Sequence, residues 1–273
     1  MKTLSPKKFS ILGCGWLGLP LAQHLIQKKH LVKGSTTSPE KLAFLEKNGI
    51  TPSIIKIENN KTNSNLTDFL TSDILVIDVP FGKQKENFKA YKQLAFAVEN
   101  SSIKKIIFIS STSVYSDTNS EVTESATFEI NPAKKVLVDL ENLFLNHPGF
   151  ETTILRFSGL IGGTRNPGNF FKEGRIVQNG LAPINLIHLE DCIEIIRRVA
   201  EGSFGGEIFN ASADTHPTRK EFYTAATLLQ NKTPATFIEN IEFSYKIISN
   251  DKLKRKLNYT FLYSDLMAMV KIE

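Results

Sequence analysis

Residues Gly13-Cys14-Gly15-Trp16-Leu17-Gly18 space three glycines as G-x-G-x-x-G. They directly follow the apolar run Phe9-Ser10-Ile11-Leu12 and open a stretch whose apolar positions 17, 21, 25 and 26 recur at helical spacing. A strand, a tight turn and a helix in that order restrict the fold more than any composition can. The first glycine permits the turn, the second lets a ligand approach the backbone, and the third lets the helix pack on its strand. The helix start adds N–H donors and partial positive charge, which is what a pyrophosphate needs. Gly13, Gly15, Trp16, Leu17 and Gly18 are therefore candidate dinucleotide-binding residues. The same glycines also suit a turn that closes without a ligand, and both readings stand at this point.

The rest of the chain alternates in the same way. Leu31 to Thr37 reads as a second strand, and Ser38-Pro39-Glu40 starts a helix that ends before Gly49. Thr51 to Ile57 gives a third strand. The continuous apolar run from Asp73 to Pro80 is the mark of a strand covered on both faces. A polar helix over 86–100, a strand over 103–111, a helix from Asn131-Pro132 to Asn146 and a strand from Thr152 follow. This alternation predicts an α/β fold, a Rossmann-type doubly wound parallel sheet with right-handed crossovers. Beyond Gly159 turn formers interrupt the pattern, 206–211 supplies one more strand, and the chain from Thr215 is mainly helical. The expected division is a dinucleotide-binding domain of 1–158 plus 185–212, and a smaller, mainly helical lobe of 159–184 plus 213–273.

Composition removes several classes of function. With 273 residues, 41% of them apolar and 22% charged, the chain has ordinary globular usage, unlike disordered or disulfide-stapled proteins. The net charge of +5 is spread as lysine pairs without a long basic run, so nucleic acid is not an expected partner. The uncharged stretch Phe9–Gln27 is too broken by glycine and polar residues to span a membrane. Cys14 and Cys192 form no C-x-x-C pair, which fits a reducing, cytoplasmic location. No metal-ligand spacing occurs.

The identity of the dinucleotide follows from the second strand. An NAD site usually holds an acid there for the ribose hydroxyls. Between Leu19 and Pro39 this chain has no Asp or Glu, but it has Lys33, Thr36, Thr37 and Ser38, with Lys41 just beyond. Hydroxyls and a cation suit a 2′-phosphate, so NADP is expected over NAD. Val79, Pro80 and Ser110 join the candidate cofactor residues, because ligands of such sheets sit outside the carboxyl ends of the strands.

Further motifs carry a resemblance. Ser110-Ser111-Thr112-Ser113-Val114-Tyr115 is similar to an S-[ST]-x-x-V-Y segment. Leu155-Arg156 with Gly159 and Gly162-Gly163, then Asn185 to Asp191, Phe209 to Ser212 and Ser249 to Leu253, resemble later elements in the same order. Nearly the whole chain thus resembles the extended short-chain dehydrogenase/reductase superfamily, the nucleotide-sugar epimerase/dehydratase-like group. The resemblance implies an NAD(P)-dependent oxidoreductase or epimerase acting on a small molecule, a nucleotide sugar or another anion, with a homodimer as a family-level expectation.

By the same resemblance Ser111 takes the catalytic Ser/Thr position. The Tyr-x-x-x-Lys acid/base pair, anchored on Glu141, falls on Ala133 and Leu137, and none of the six tyrosines has a lysine four positions later. Alanine has no proton to give and leucine no charge to lower a phenol's pKa. The chain in this respect resembles the atypical branch, in which the dyad is altered or absent. Tyr115 is a candidate replacement acid or a packing phenol, and Lys135 a candidate displaced lysine. His188 reads as a structural histidine and Asp191 as a helix-start acid. Arg165 and Arg175 are candidates for holding an anionic substrate. Two functions stay open: an oxidoreductase with a non-standard proton donor, and a dinucleotide-binding sensor without turnover.

Overall fold

The computed structural model describes residues 5–58, 61–62, 66–79, 88–126 and 132–270. Seven apolar runs become the strands of one parallel sheet: β1 (Lys8–Leu12), β2 (Leu31–Thr36), β3 (Thr51–Ile54), β4 (Ile74–Ile77), β5 (Lys105–Ser111), β6 (Glu151–Phe157) and β7 (Ile208–Ala211). Their order is β7-β6-β5-β4-β1-β2-β3. Phe9 of β1 is in register with Val32 of β2 on one side and Ile74 of β4 on the other. All four residues of β4 and the five inner residues of β5 are buried, as the unbroken apolar runs require of strands covered on both faces. The order reverses between β1 and β4. In a doubly wound sheet that switch point is where a ligand crevice opens, at the carboxyl ends of the strands.

Helices α1 (Gly18–Gln27), α2 (Leu42–Lys47), α3 (Leu66–Phe69), α4 (Phe88–Glu99), α5 (Pro132–Leu145), α6 (Leu189–Glu201), α7 (Arg219–Leu228) and α8 (Asp251–Leu257) fill the connections. Each longer helix buries one stripe. In α1 this is Gly18, Leu21, Ala22 and Leu25, and in α4 Ala90, Tyr91, Leu94, Ala95 and Val98. No helix among the described residues is long and apolar enough to cross a membrane.

The chain forms two compact units. The first comprises 1–110, 132–155 and 196–208, and the second 111–131, 156–195 and 209–273. In the first, Phe144 of α5 packs against Phe108 of β5 at 5.4 Å and edge-on to Tyr91 of α4 at 6.5 Å. The second has its own core, including Ile161, Leu186, Phe222 and Leu266. It also holds parallel pairs only two or three residues long: 159–161 with 186–188, 120–122 with 246–248, and 176–177 with 236–237. A reciprocal capping box between Thr218 and Glu221 starts α7.

Burial holds the imidazoles of His188 and His216 below their ordinary pKa. The unfolded chain therefore binds these protons at a higher pH than the native one does. Stability contributed by the neutral rings is complete above the unfolded value and is lost as pH falls towards the folded values. The melting temperature is expected to be lower at about pH 5.5 than at about pH 7.5, and His216→Gln to flatten that dependence. A melting profile that stays flat in the wild type over this range would contradict the assignment.

Candidate functional site

The turn after β1 is built by close backbone approaches. Asp78, just past β4, donates its N–H to the Leu12 carbonyl at 2.9 Å. Gly13 has φ +109°, and a Cβ there would lie 2.1 Å from the Asp78 carbonyl oxygen. Gly13 donates to Ser35 Oγ at 2.9 Å and Cys14 to the Ser35 carbonyl at 2.8 Å, which lashes the turn to β2. A Cβ on Gly18 would lie 2.1 Å from the Gly13 carbonyl oxygen, so α1 can start directly on the turn only without a side chain there. These two glycines answer to the protein's own packing.

Gly15 does not. Its φ lies outside the left-handed region, it is exposed, and a Cβ added to it would meet nothing within 4 Å. Among the described residues the glycine leaves backbone bare toward open space in front of α1. That helix has no side-chain cap on its first turn and no acid in it. Bare backbone, uncapped donors and the positive end of a helix dipole fit the pyrophosphate of a dinucleotide.

Around this turn, Val79 Cγ1 would lie 3.4 Å from a Cβ on Gly13, which places it beside the first glycine. Pro80 lies outside the described residues. Thr36 is buried, with Oγ1 accepting from Ser38 N–H at 3.2 Å, while Thr37 is exposed. Lys33 turns away: its ammonium bonds Thr71 Oγ1 at 2.7 Å and Asp68 at 3.3 Å. Lys41 is exposed at the start of α2 and makes no ion pair among the described residues. The Cys14 thiol, pushed up to about 12 by burial and by the nearby Asp78 charge, is not a nucleophile at neutral pH. Trp16 is half-buried in the turn.

At the carboxyl end of β5, Ser110 donates its hydroxyl to Glu141, which is buried on α5. Leu137, at the position of the missing lysine, is buried on the same face of α5 as Leu140, Glu141 and Phe144. Lys135 is exposed and holds Asp139 at 2.6 Å, so it does not replace that lysine.

In the second unit, Ser111 begins a short 3-10 turn and accepts the Ser113 N–H at 3.1 Å. Its own O–H has no acceptor among the described residues and is left to donate. Tyr115 is different. It is buried, donates to Asn210 Oδ1 at 2.7 Å and accepts from Arg156 Nη1 at 2.8 Å. Burial raises its pKa although Arg156 pulls the other way.

Two residues near the start of α6 have structural partners. The Nδ1 of His188 accepts the Glu190 N–H at 3.3 Å, and the ring lies 3.7 Å from that of Tyr263. Asp191 accepts from Tyr259 Oη at 2.5 Å, Leu262 N–H at 2.7 Å and Tyr263 N–H at 3.1 Å. It does more than complement a helix dipole: it anchors a distant segment. Arg165 bridges back to Gly162 through the backbone, and the Arg175 guanidinium lies 5.5 Å from the Phe171 ring centre. Nothing among the described residues brings these two arginines together. No group of three or more His, Cys, Asp or Glu among the described residues could hold a metal. Ser35 was not foreseen as a turn residue, since its role depends on which strand lies beside β1.

A sequence model of proteins described as NAD(P)H-binding matches residues 13–181, starting at the first glycine of the turn. The chain belongs to this NAD(P)H-binding family. The family member is 33% identical to Protein YeeZ of Escherichia coli over 271 residues, covering 96% of this chain and 98% of that protein. Among solved structures it superposes at a TM-score of 0.79 and 17% identity on a UDP-N-acetylglucosamine 4-epimerase from Methanobrevibacter ruminantium in complex with UDP-N-acetylmuramic acid, covering 98% and 96% of the two chains. A short-chain dehydrogenase/reductase superfamily protein from Agrobacterium tumefaciens with bound NAD gives 0.77 at 16% identity, covering 96% and 94%. At such identities the likeness is one of fold, which is that of short-chain dehydrogenases/reductases and nucleotide-sugar epimerases.

Proposed function

We propose that this NAD(P)H-binding chain is an NADP-dependent oxidoreductase of the atypical short-chain type, acting on a small molecule in the cytoplasm. The observation that carries the reading is Gly15, a glycine whose missing side chain would meet nothing among the described residues, which leaves room for a pyrophosphate. Gly13, Gly15, Trp16, Leu17, Gly18 and Val79 would hold the dinucleotide, and Ser110 would border it. When bound, the cofactor supplies or accepts a hydride. Thr37, Ser38 and Lys41, which has no ion pair among the described residues, support a 2′-phosphate, with Lys33 removed from that role by Asp68 and Thr71. The O–H of Ser111 orients and polarises a substrate oxygen, and a solvent proton replaces the one the absent tyrosine would give.

A second reading, binding without turnover, rests on Leu137. Its burial leaves no cation where a lysine would lower a phenol's pKa, and the Tyr115 hydroxyl is already committed to Asn210. Trp16, the only tryptophan, is an internal probe for the common step. Titration with NADPH and NADH is expected to quench it saturably, with NADPH the tighter ligand. Lys41→Gln is expected to weaken NADPH by about threefold to tenfold, as loss of one charge-assisted contact does, and to leave NADH unchanged. Equal binding of the two dinucleotides by the wild type would rule out the 2′-phosphate assignment. Absence of NADPH oxidation across a broad panel of carbonyl compounds, with binding intact, would favour the second reading.

A further inference from the structure

The second unit contains a cavity of about 580 Å³, within the usual size of a small-molecule site, whose wall includes Phe171, Ile184, Leu186, Tyr223 and Tyr245. Most of its polar groups are already spent. Asp117 and Lys246 pair at 2.6 Å, and the lysine also donates to the Tyr115 carbonyl at 3.1 Å. Asn185 donates to the Lys246 carbonyl at 2.9 Å and accepts from Ile248 N–H at 2.8 Å. It thereby clamps the strand.

Two groups remain. Tyr223 is 9% exposed, and its hydroxyl has no hydrogen-bonding partner among the described residues. Its oxygen is not sealed in with the ring, so it can bond a ligand in the cavity. Beside it on the first turn of α7 is Arg219, whose positive charge acts on that phenol. Among the described residues the guanidinium makes one side-chain hydrogen bond, from Nη1 to the Gln178 carbonyl at 3.1 Å. Its other donors are unspent. The uncancelled charge of the cavity wall is thus a single cation, one helical turn before Tyr223. Phe171 and Tyr223 meet edge-on at 4.9 Å, a rigid apolar corner for a flat group.

We propose that this cavity binds a small monocarboxylate with a planar, apolar body, its carboxylate on Arg219 and the Tyr223 hydroxyl. A planar guanidinium fork matches the two oxygens of one carboxylate. A nucleoside diphosphate would bring at least two negative charges to one free cation and would also face Asp117. Calling this ligand the substrate rests on the oxidoreductase reading, but its binding does not.

The test is calorimetric titration of cofactor-free protein with phenylpyruvate, an aromatic monocarboxylate bearing a reducible carbonyl, and in parallel with UDP-glucuronic acid. Phenylpyruvate is expected to bind and UDP-glucuronic acid not to. Arg219→Gln should weaken phenylpyruvate by at least about tenfold, the worth of a charge-assisted pair, and Tyr223→Phe by about threefold. Arg165→Gln and Arg175→Gln should leave it unchanged. Circular dichroism melts establish that each variant is folded, and the near-isosteric Tyr223→Phe serves if Arg219→Gln is not. Tight binding of UDP-glucuronic acid, no binding of phenylpyruvate, or folded variants with wild-type affinity at both positions would overturn the proposal. So would loss of binding on replacing Arg165 or Arg175. The Trp16 titration separates the two readings: phenylpyruvate binding without any NADPH response removes the oxidoreductase function and keeps the cavity, and the reverse removes only the cavity's ligand.

Discussion

Alanine at Gly15 is expected to weaken NADPH binding by at least about tenfold, near 1.4 kcal/mol, while leaving the melting temperature unchanged or slightly raised. Alanine at Gly13 or Gly18 is expected to destabilise the fold by about 2–5 kcal/mol. The contrast follows from what each missing Cβ would meet. At Gly13 it meets the Asp78 carbonyl oxygen at 2.1 Å with φ at +109°, so a methyl group adds a steric clash to a backbone conformation that L side chains disfavour. At Gly18 it meets the Gly13 carbonyl oxygen at the same distance, and relief requires α1 to move off its strand. At Gly15 it meets nothing among the described residues, and a compatible Gly→Ala change restricts the unfolded chain to the benefit of the native one by about 0.4–1 kcal/mol.

A stable Gly15→Ala variant that has lost its NADPH response shows that the bare backbone serves a ligand. Should that variant bind NADPH as the wild type does, the pyrophosphate does not cross this turn and the proposed function fails with it. Thermal melts and Trp16 quenching on the three variants are sufficient to decide.

The glycine turn and the sheet could be read from sequence because their causes are local. A strand covered on both faces must be apolar at consecutive positions, as Ile74 to Ile77 are, and the turn's demands lie within six consecutive residues. Leu137 was legible too, since counting back from Glu141 reaches it and its helical neighbours Leu140 and Phe144 share its buried face. What could not be read depends on partners far along the chain. Lys33 looks like a cation beside a cofactor until Asp68 and Thr71 claim it, and Tyr115 looks like a replacement acid until its hydroxyl is seen to donate to Asn210. The pairing of 120–122 with 246–248 joins segments more than a hundred residues apart, and strands of three residues carry no periodicity to recognise. Arg219 and Tyr223 escaped notice because they sit in no motif. Their meaning comes from the commitments of Lys246 and Asn185, which only the packed structure reveals.

The other large effect is expected at Asp191. Its carboxylate is completely buried and gathers a phenol and two backbone N–H groups from the segment Tyr259–Tyr263. Burial alone raises its pKa, while these three donors and the His188 ring favour the ionised form. Hydrogen bonds to a charged acceptor contribute about 1.5–3 kcal/mol each, and deleting the acceptor strands donors that burial has cut off from water. Asp191→Ala should therefore cost about 3 kcal/mol or more, lowering the melting temperature by roughly 6–12 °C in a chain of this size. Tyr259→Phe removes one donor and should cost about 1–2 kcal/mol. Because both changes break the same bond, the double variant should be less destabilised than the two losses added together. Limited proteolysis gives an independent signal, since a segment no longer held at Tyr259, Leu262 and Tyr263 should be cut first. The tilted contact of the Tyr263 ring with that of His188, centres 3.7 Å apart, depends on that same anchorage. An Asp191→Ala protein with wild-type melting and an uncut C-terminal segment would mean that apolar packing of Phe261 and Leu266, both buried, holds the segment without the carboxylate.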